Sequence, residues 1–353
     1  LLAAFFVAAC GSRTPLDTVS SSETGATPTR TPTNCVYGKL GNVRGLPLGL
    51  ASTGDTVFVV SADVGGVIGD LNAIASDGVV HLVVKGNAYI GMTTFGSTIA
   101  FNRRSFDDVQ NFLGATVEIV NSDFSTTQID ATSANVAQLD SLTTDGTSIY
   151  WYRWPPSSDP LDPTNYGIPA IAKYDGGSFT TLSIDPTSST PQGLVTDGTN
   201  FFSVFLDAAN GGGYVVGTLP VDGEPARALA ESPIAAPEYS TVVGVDDANV
   251  IAIRGNDAWA IPKSGGTAIG LVSNQTTEDS PNLYQHHFIW AQENADGSGS
   301  ISSVSTSGGT IATIATTASS IPIVTTDACG VVYATTDSSA PGTTAASIYR
   351  VEL

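Results

Sequence analysis

The sequence predicts an all-β chain: a β-propeller of about seven four-stranded blades, its ring closed by the N-terminal strand. Three observations predict it. A strand-and-turn unit recurs roughly every 40–50 residues along the 353-residue chain. Composition favours strands and tight turns, with Thr, Ser, Gly, Val, Ala and Asp dominant. The last repeat lacks one strand, while a spare strand precedes the first.

Residues 1–9 read LLAAFFVAA and lead to Cys10. The run is too short to span a bilayer. Val7-Ala8-Ala9-Cys10, with small residues directly before the cysteine, resembles the lipobox of bacterial lipoproteins. The resemblance implies a truncated signal peptide over 1–10 and a lipid on Cys10. An ordinary signal peptide with a chance cysteine is the other reading. Gly11 rather than Asp follows, which by resemblance to enteric lipoproteins implies the outer membrane. Residues 11–34 are rich in Ser, Thr and Pro and read as a disordered tether. The expectation is an exported chain held at the membrane through its lipid, with a folded domain over 35–353.

Cys35 and Cys329 remain. In an oxidising compartment such a pair predicts a disulfide, with two buried thiols as the alternative.

The repeat is clearest in DGTSIYWY (145–152), DGTNFFSVF (197–205) and TGDTVFVV (53–60). Weaker copies start at Phe95, Asp246, Tyr284 and Asp327. A second marker runs in phase: strand, Gly turn, strand. The dipeptides Asp175-Gly176, Asp222-Gly223, Ser264-Gly265 and Ser307-Gly308 mark those turns as hairpins. Each unit thus holds strands a, b, c and d, the content of a propeller blade. The terminal SIYRVEL (347–353) aligns with strand c, and the segment from Cys35 to Leu40 supplies the missing strand d. Cys35 and Cys329 then fall in one blade.

The run PQGLVTDGT (191–199) and its following Gly turn resemble blades of TolB-like and NHL-like propellers, and more closely the cell-envelope propeller lipoproteins of Gram-negative bacteria. The resemblance is firmest over 140–320 and implies a fold rather than an activity. The chain has no Trp-Asp repeat, no sialidase-type Asp box and no tryptophan-docking repeat.

Length variation is predicted to fall between strands b and c, at 102–114, 153–169, 206–213 and 291–299. Loop insertions on repeat scaffolds mark the working face. The candidate ligand-binding residues lie there: Trp151, Arg153, Trp154 and Tyr166, with Arg103 and Arg104 of the preceding blade. Aromatic rings and guanidinium groups together suit a sugar or an anionic peptide. The competing reading packs Trp151 and Trp154 between blades.

Net charge is −20, from 13 Lys+Arg against 33 Asp+Glu, which disfavours nucleic acid. Three histidines, no nucleophile elbow and no phosphate loop leave no catalytic residue, metal ligand or cofactor to name. NADGSGS (294–300) reads as a hairpin tip rather than a calcium loop. The leading expectation is a non-catalytic binding or interaction module for a glycan, peptide or protein. An envelope hydrolase or lyase, and a purely structural envelope protein, are the alternatives.

Overall fold

A computed structural model describes residues 35–62, 69–106, 112–133, 139–155, 169–184, 191–207, 213–219, 221, 226–231, 240–273, 281–340 and 343–353. Cys10, the tether and Tyr166 lie outside the described residues. The strands come in groups of four. The first, β1 (Gly38–Arg44), belongs to the last blade. Blade 1 holds β2 (Leu46–Ser52), β3 (Thr56–Ala62), β4 (Gly69–Ala75) and the start of β5 (Val80–Phe95). Blade 2 uses the rest of β5, then β6 (Thr98–Phe106), β7 (Phe112–Val120) and β8 (Thr126–Ser133). Blade 3 is β9 (Leu139–Thr144), β10 (Ile149–Arg153), β11 (Ala170–Tyr174) and β12 (Phe179–Leu182). Blade 4 is β13 (Gln192–Thr196), β14 (Phe201–Asp207), β15 (Gly213–Thr218) and β16 (Arg227–Glu231). Blade 5 is β17 (Ser240–Val245), β18 (Asn249–Arg254), β19 (Asp257–Pro262) and β20 (Ile269–Val272). Blade 6 is β21 (Asn282–Tyr284), β22 (His287–Glu293), β23 (Gly299–Ser305) and β24 (Ala312–Thr317). Blade 7 is β25 (Ile323–Asp327), β26 (Gly330–Ala340), β27 (Thr343–Val351) and, as its outermost strand, β1.

The protein is therefore a seven-bladed, all-β propeller whose first strand completes its last sheet. β1 pairs antiparallel with β27, from Gly38 opposite Arg350 to Arg44 opposite Ala345. Cys35 and Cys329 form a disulfide, Cα atoms 5.5 Å apart. Blades 1 and 2 are joined without a break: β5 pairs with β4 as far as Asn87 and with β6 from Ala88.

Both faces of every blade are buried, so the core is divided into seven clusters, one in each gap between neighbours. Ile149 and Trp151 of β10 pack with Ala100 and Val117 of blade 2. Tyr150 and Tyr152, between them in sequence, pack with Leu194 and Phe205 of blade 4. That is the period-2 alternation of a strand, with apolar residues on both sides. Neither set reaches solvent. The innermost strands crowd together at the axis. Gly193 of β13 has φ +71°, and a Cβ there would stand 2.9 Å from the Val242 carbonyl oxygen of β17. Only glycine fits such an approach.

The turns between strands a and b recur with one chemistry. The Asp145 Oδ1 accepts from the amides of Thr147 and Ser148, at 2.8 and 2.7 Å. Asp197 does the same for Thr199 and Asn200, and Asp246 for Ala248 and Asn249. Asp327 accepts from the Cys329 amide at 2.7 Å. These are the side-chain-capped turns that Asp favours. The second carboxylate oxygen is taken by a side chain, usually from the next blade. Lys263 Nζ of blade 5 reaches Asp197 Oδ2 at 2.9 Å. Thr306 of blade 6 donates to Asp246 Oδ2 at 2.6 Å. Ser52 of blade 1 donates to Asp327. At Asp145 the donor is Tyr150 of its own blade, at 2.7 Å.

Candidate functional site

In a propeller, b–c and d–a connections leave one face, and a–b and c–d turns the other. The a–b turns are uniformly short, from 285–286 to 145–148. The b–c connections range from 255–256 in blade 5 to 154–169 in blade 3. Blade 3 therefore carries the longest b–c insertion, as its sequence implied.

The structure distributes the candidate residues over three adjacent gaps. In the gap between blades 2 and 3, Trp151 is fully buried and its Nε1–H donates to Asp130 Oδ2 of β8 at 3.0 Å. Arg153 Nε lies 3.6 Å from the same oxygen, with 40% of its side chain exposed. Arg104 shares this gap by strand parity. Ala100, two steps inward, packs with Trp151. Asn102, between them, donates to the Leu139 carbonyl of blade 3 at 3.4 Å. Asp130 thus forms a floor gripped by an indole and a guanidinium, and two arginines stand at its b–c end.

Arg103 points the other way, towards blade 1. Its Nε donates to Glu118 Oε1 at 2.7 Å, and Thr116 donates to that oxygen at 2.8 Å. Glu118 is buried, so the guanidinium is spent on neutralising it. Trp154 is buried in the gap between blades 3 and 4, with Ile184 and Leu219. Its ring stands edge-on to Tyr152, centroids 6.0 Å apart. The Tyr152 hydroxyl donates to the Gly193 carbonyl at 3.0 Å. Trp151 and Trp154 thus pack between blades, on opposite sides of blade 3. The sequence brought Arg153 and Arg104 to one groove but missed Asp130 and Glu118. Asp130 sits in TTQIDATS, which reads as polar strand surface, and Glu118 is a single acid within the largely apolar FLGATVEIV.

Among the described residues, the carboxyl groups that depart from ordinary behaviour lie in turns. Burial would raise the Asp145 carboxyl, but hydrogen bonds from Tyr150, Thr147 and Ser148 hold it below the usual range. Burial opposes the Lys263 and amide contacts at Asp197 too, and the contacts prevail. Tyr150 is pushed up by burial and by its bond to Asp145. Among the described residues, no group of three or more His, Cys, Asp or Glu is placed to hold a metal ion.

No family model matches the chain, and no curated protein sequence does. Solved structures do. Puromycin hydrolase superposes with a TM-score of 0.55 at 12% identity, over 83% of this chain and 50% of that one. A chain of the mitotic checkpoint complex gives 0.53 at 13%, over 94% of this chain and 98% of that one. A prolyl endopeptidase gives 0.51 at 13%, over 90% and 48%.

The likeness is one of fold.

The chain spans about half the length of both hydrolases and nearly all of the checkpoint-complex chain.

Proposed function

We propose that this propeller is a non-catalytic binding module, tethered by an N-terminal lipid to the outer membrane, that captures a glycan or protein on its b–c face. One observation carries the reading: the ring has two unlike faces. The a–b turns are short and their aspartates are committed to amides and to neighbouring blades. The b–c side holds the long blade 3 connection and the groove where Arg153 meets Asp130, with Arg104 in the same gap by strand parity. Half-buried arginines beside a variable loop suit carboxylate- or phosphate-bearing partners. The perturbed carboxylates support the same reading, because each is explained by the turn it holds rather than by a reacting group.

A pull-down of glycans and envelope proteins on the full chain is the test. Retention of the partner is expected to fall at least about tenfold when residues 156–168 are replaced by a Gly-Ser linker. Asp175→Ala, in a c–d turn on the opposite face, is expected to leave it unchanged. Equal loss in both variants, or turnover of a captured compound, would overturn the reading. For the tether, Cys10→Ser is expected to release the chain from the membrane fraction; continued retention there would remove the lipid from the argument.

A further inference from the structure

We propose that the outer mouth of the cleft between blades 7 and 1 is a docking surface for an anionic lipid bilayer. The proposal rests on the lipid-tethered reading above. Of the nine large hydrophobics exposed among the described residues, five flank this one opening: Val36, Tyr37, Val79, Val80 and Leu82, each 40–55% exposed. Val36 and Tyr37 lead into β1. Val79 closes the β4–β5 turn, and Val80 and Leu82 begin β5.

Strand parity places the two groups together. Val80 pairs with Ile74, which packs in the core cluster shared by blades 7 and 1. Leu82 lies on the same side. His81, between them, turns to blade 2 and stacks on Phe124 with centroids 4.4 Å apart. β1 and the β4–β5 turn are in contact: a Cβ on Gly78 would stand 3.3 Å from the Leu40 carbonyl oxygen, and one on Gly41 3.0 Å from Ile74 Cγ2.

Charge separates this surface from the rest of the molecule. The chain has 33 Asp+Glu, yet β1 and β5 contain neither. They carry Lys39, Arg44 and Lys85, all exposed. The acid in the joining turn is Asp77, whose Oδ1 accepts from the Val79 amide at 2.9 Å. Aliphatic side chains and a tyrosine ring beside the exposed Lys39 match the composition of an interfacial membrane surface. A second copy pairing along the exposed edge of β1 is opposed by those same cations.

The route of the chain supplies the occupant. The Cys35–Cys329 bond fixes where the chain enters the ring, directly beside Val36. On the tether reading, a Ser/Thr/Pro-rich linker of the length of residues 11–34 would span about 25–30 Å root-mean-square. A lipid on Cys10 would hold the patch near the bilayer at an effective concentration in the millimolar range, so a weak contact suffices.

The test couples Cys10 of the full chain chemically to a maleimide lipid in vesicles of phosphatidylethanolamine and phosphatidylglycerol with brominated acyl chains. Leu82→Trp reports the patch, and Phe179→Trp, on β12 of blade 3, reports an exposed apolar site away from it. Quenching at position 82 is expected to exceed that at 179 at least about twofold, and Val80→Asp to abolish the difference. Thermal melts check that each variant is folded. Equal quenching at both positions, or none at 82, overturns the proposal. So does shielding of the new tryptophan without vesicles in a dimer seen by sedimentation, which assigns the patch to a second copy. Mass spectrometry of Cys10 from native membranes tests the lipid separately; its absence would defeat the tether and leave the vesicle result standing.

Discussion

Arg350 is buried at the seam, and its Nη2 donates to Asp327 Oδ2 at 2.6 Å, to the Gly54 carbonyl at 2.9 Å and to Ser52 at 3.2 Å. One guanidinium thus joins strands of blade 7 to the first turn of blade 1. Arg350→Ala would strand the Asp327 carboxylate in the interior, a loss of about 3–5 kcal/mol. Urea denaturation is expected to show it, and Asp327→Leu combined with Arg350→Met to recover part. Gly193→Ala is expected to cost a few kcal/mol more than Gly255→Ala, about 1 kcal/mol, by the same measurement. Both glycines have positive φ, but only the first has backbone of the next blade against it. The turn aspartates set the acid limit. Asp145 and Asp197 titrate below their unfolded value of about 3.9. Their bonds are complete above that pH and are lost as pH falls through the depressed values. Melting temperature is therefore expected to hold down to about pH 4 and drop below it. At this scale the turns were legible, because Asp-Gly and Asp-x-x-Ser patterns are local chemistry. The direction of Arg103 was not. Each blade is buried on both sides, so alternation along β6 shows that Arg103 and Arg104 part company without saying which blade each one meets.

At the scale of strands, β1 depends on partners some 300 residues away. Its ladder to β27, the disulfide, and the bond from Arg350 to the Val36 carbonyl at 3.3 Å all hold it to the ring. On the chain-entropy view, closing so long a loop contributes about 5–6 kcal/mol. Cys35→Ser with Cys329→Ser is expected to lower stability by an amount of that order. The amides of β1 should then exchange faster while those of β18 in blade 5 keep their protection, a contrast readable by hydrogen exchange. The pairing of β1 was legible from two independent signs, the missing strand d and the placement of the cysteines. The continuity of β5 was not. Its sequence, VHLVVKGNAYIGMTTF, contains glycines that read as breaks. The structure uses the region as irregularities in pairing, at Gly69/Leu71 and Tyr89/Gly91, that carry one strand from blade to blade.

At the scale of the whole ring, seven similar sheets cover one another's faces and leave only short outer edges, and the aspartate contacts stitch one side. Strand direction places the entry to β1 and the exit of β27 on that stitched side, opposite the b–c connections. A protein fused after Leu353 is thus expected to leave partner retention on the b–c face unchanged in the pull-down. The architecture was legible because repetition multiplies a weak local pattern by seven. The ligand was not, because it depends on side chains meeting across gaps between blades.

The swap of strands between the two ends also dictates timing. Synthesis delivers β1 before every other strand of the ring and its partner β27 after them, a wait of roughly 15–60 s at ordinary ribosome rates. Until then its backbone groups are unmatched and Cys35 is a thiol without its mate. An oxidase acting early finds no native partner for Cys35, whereas the native bond certifies that the seventh blade has arrived.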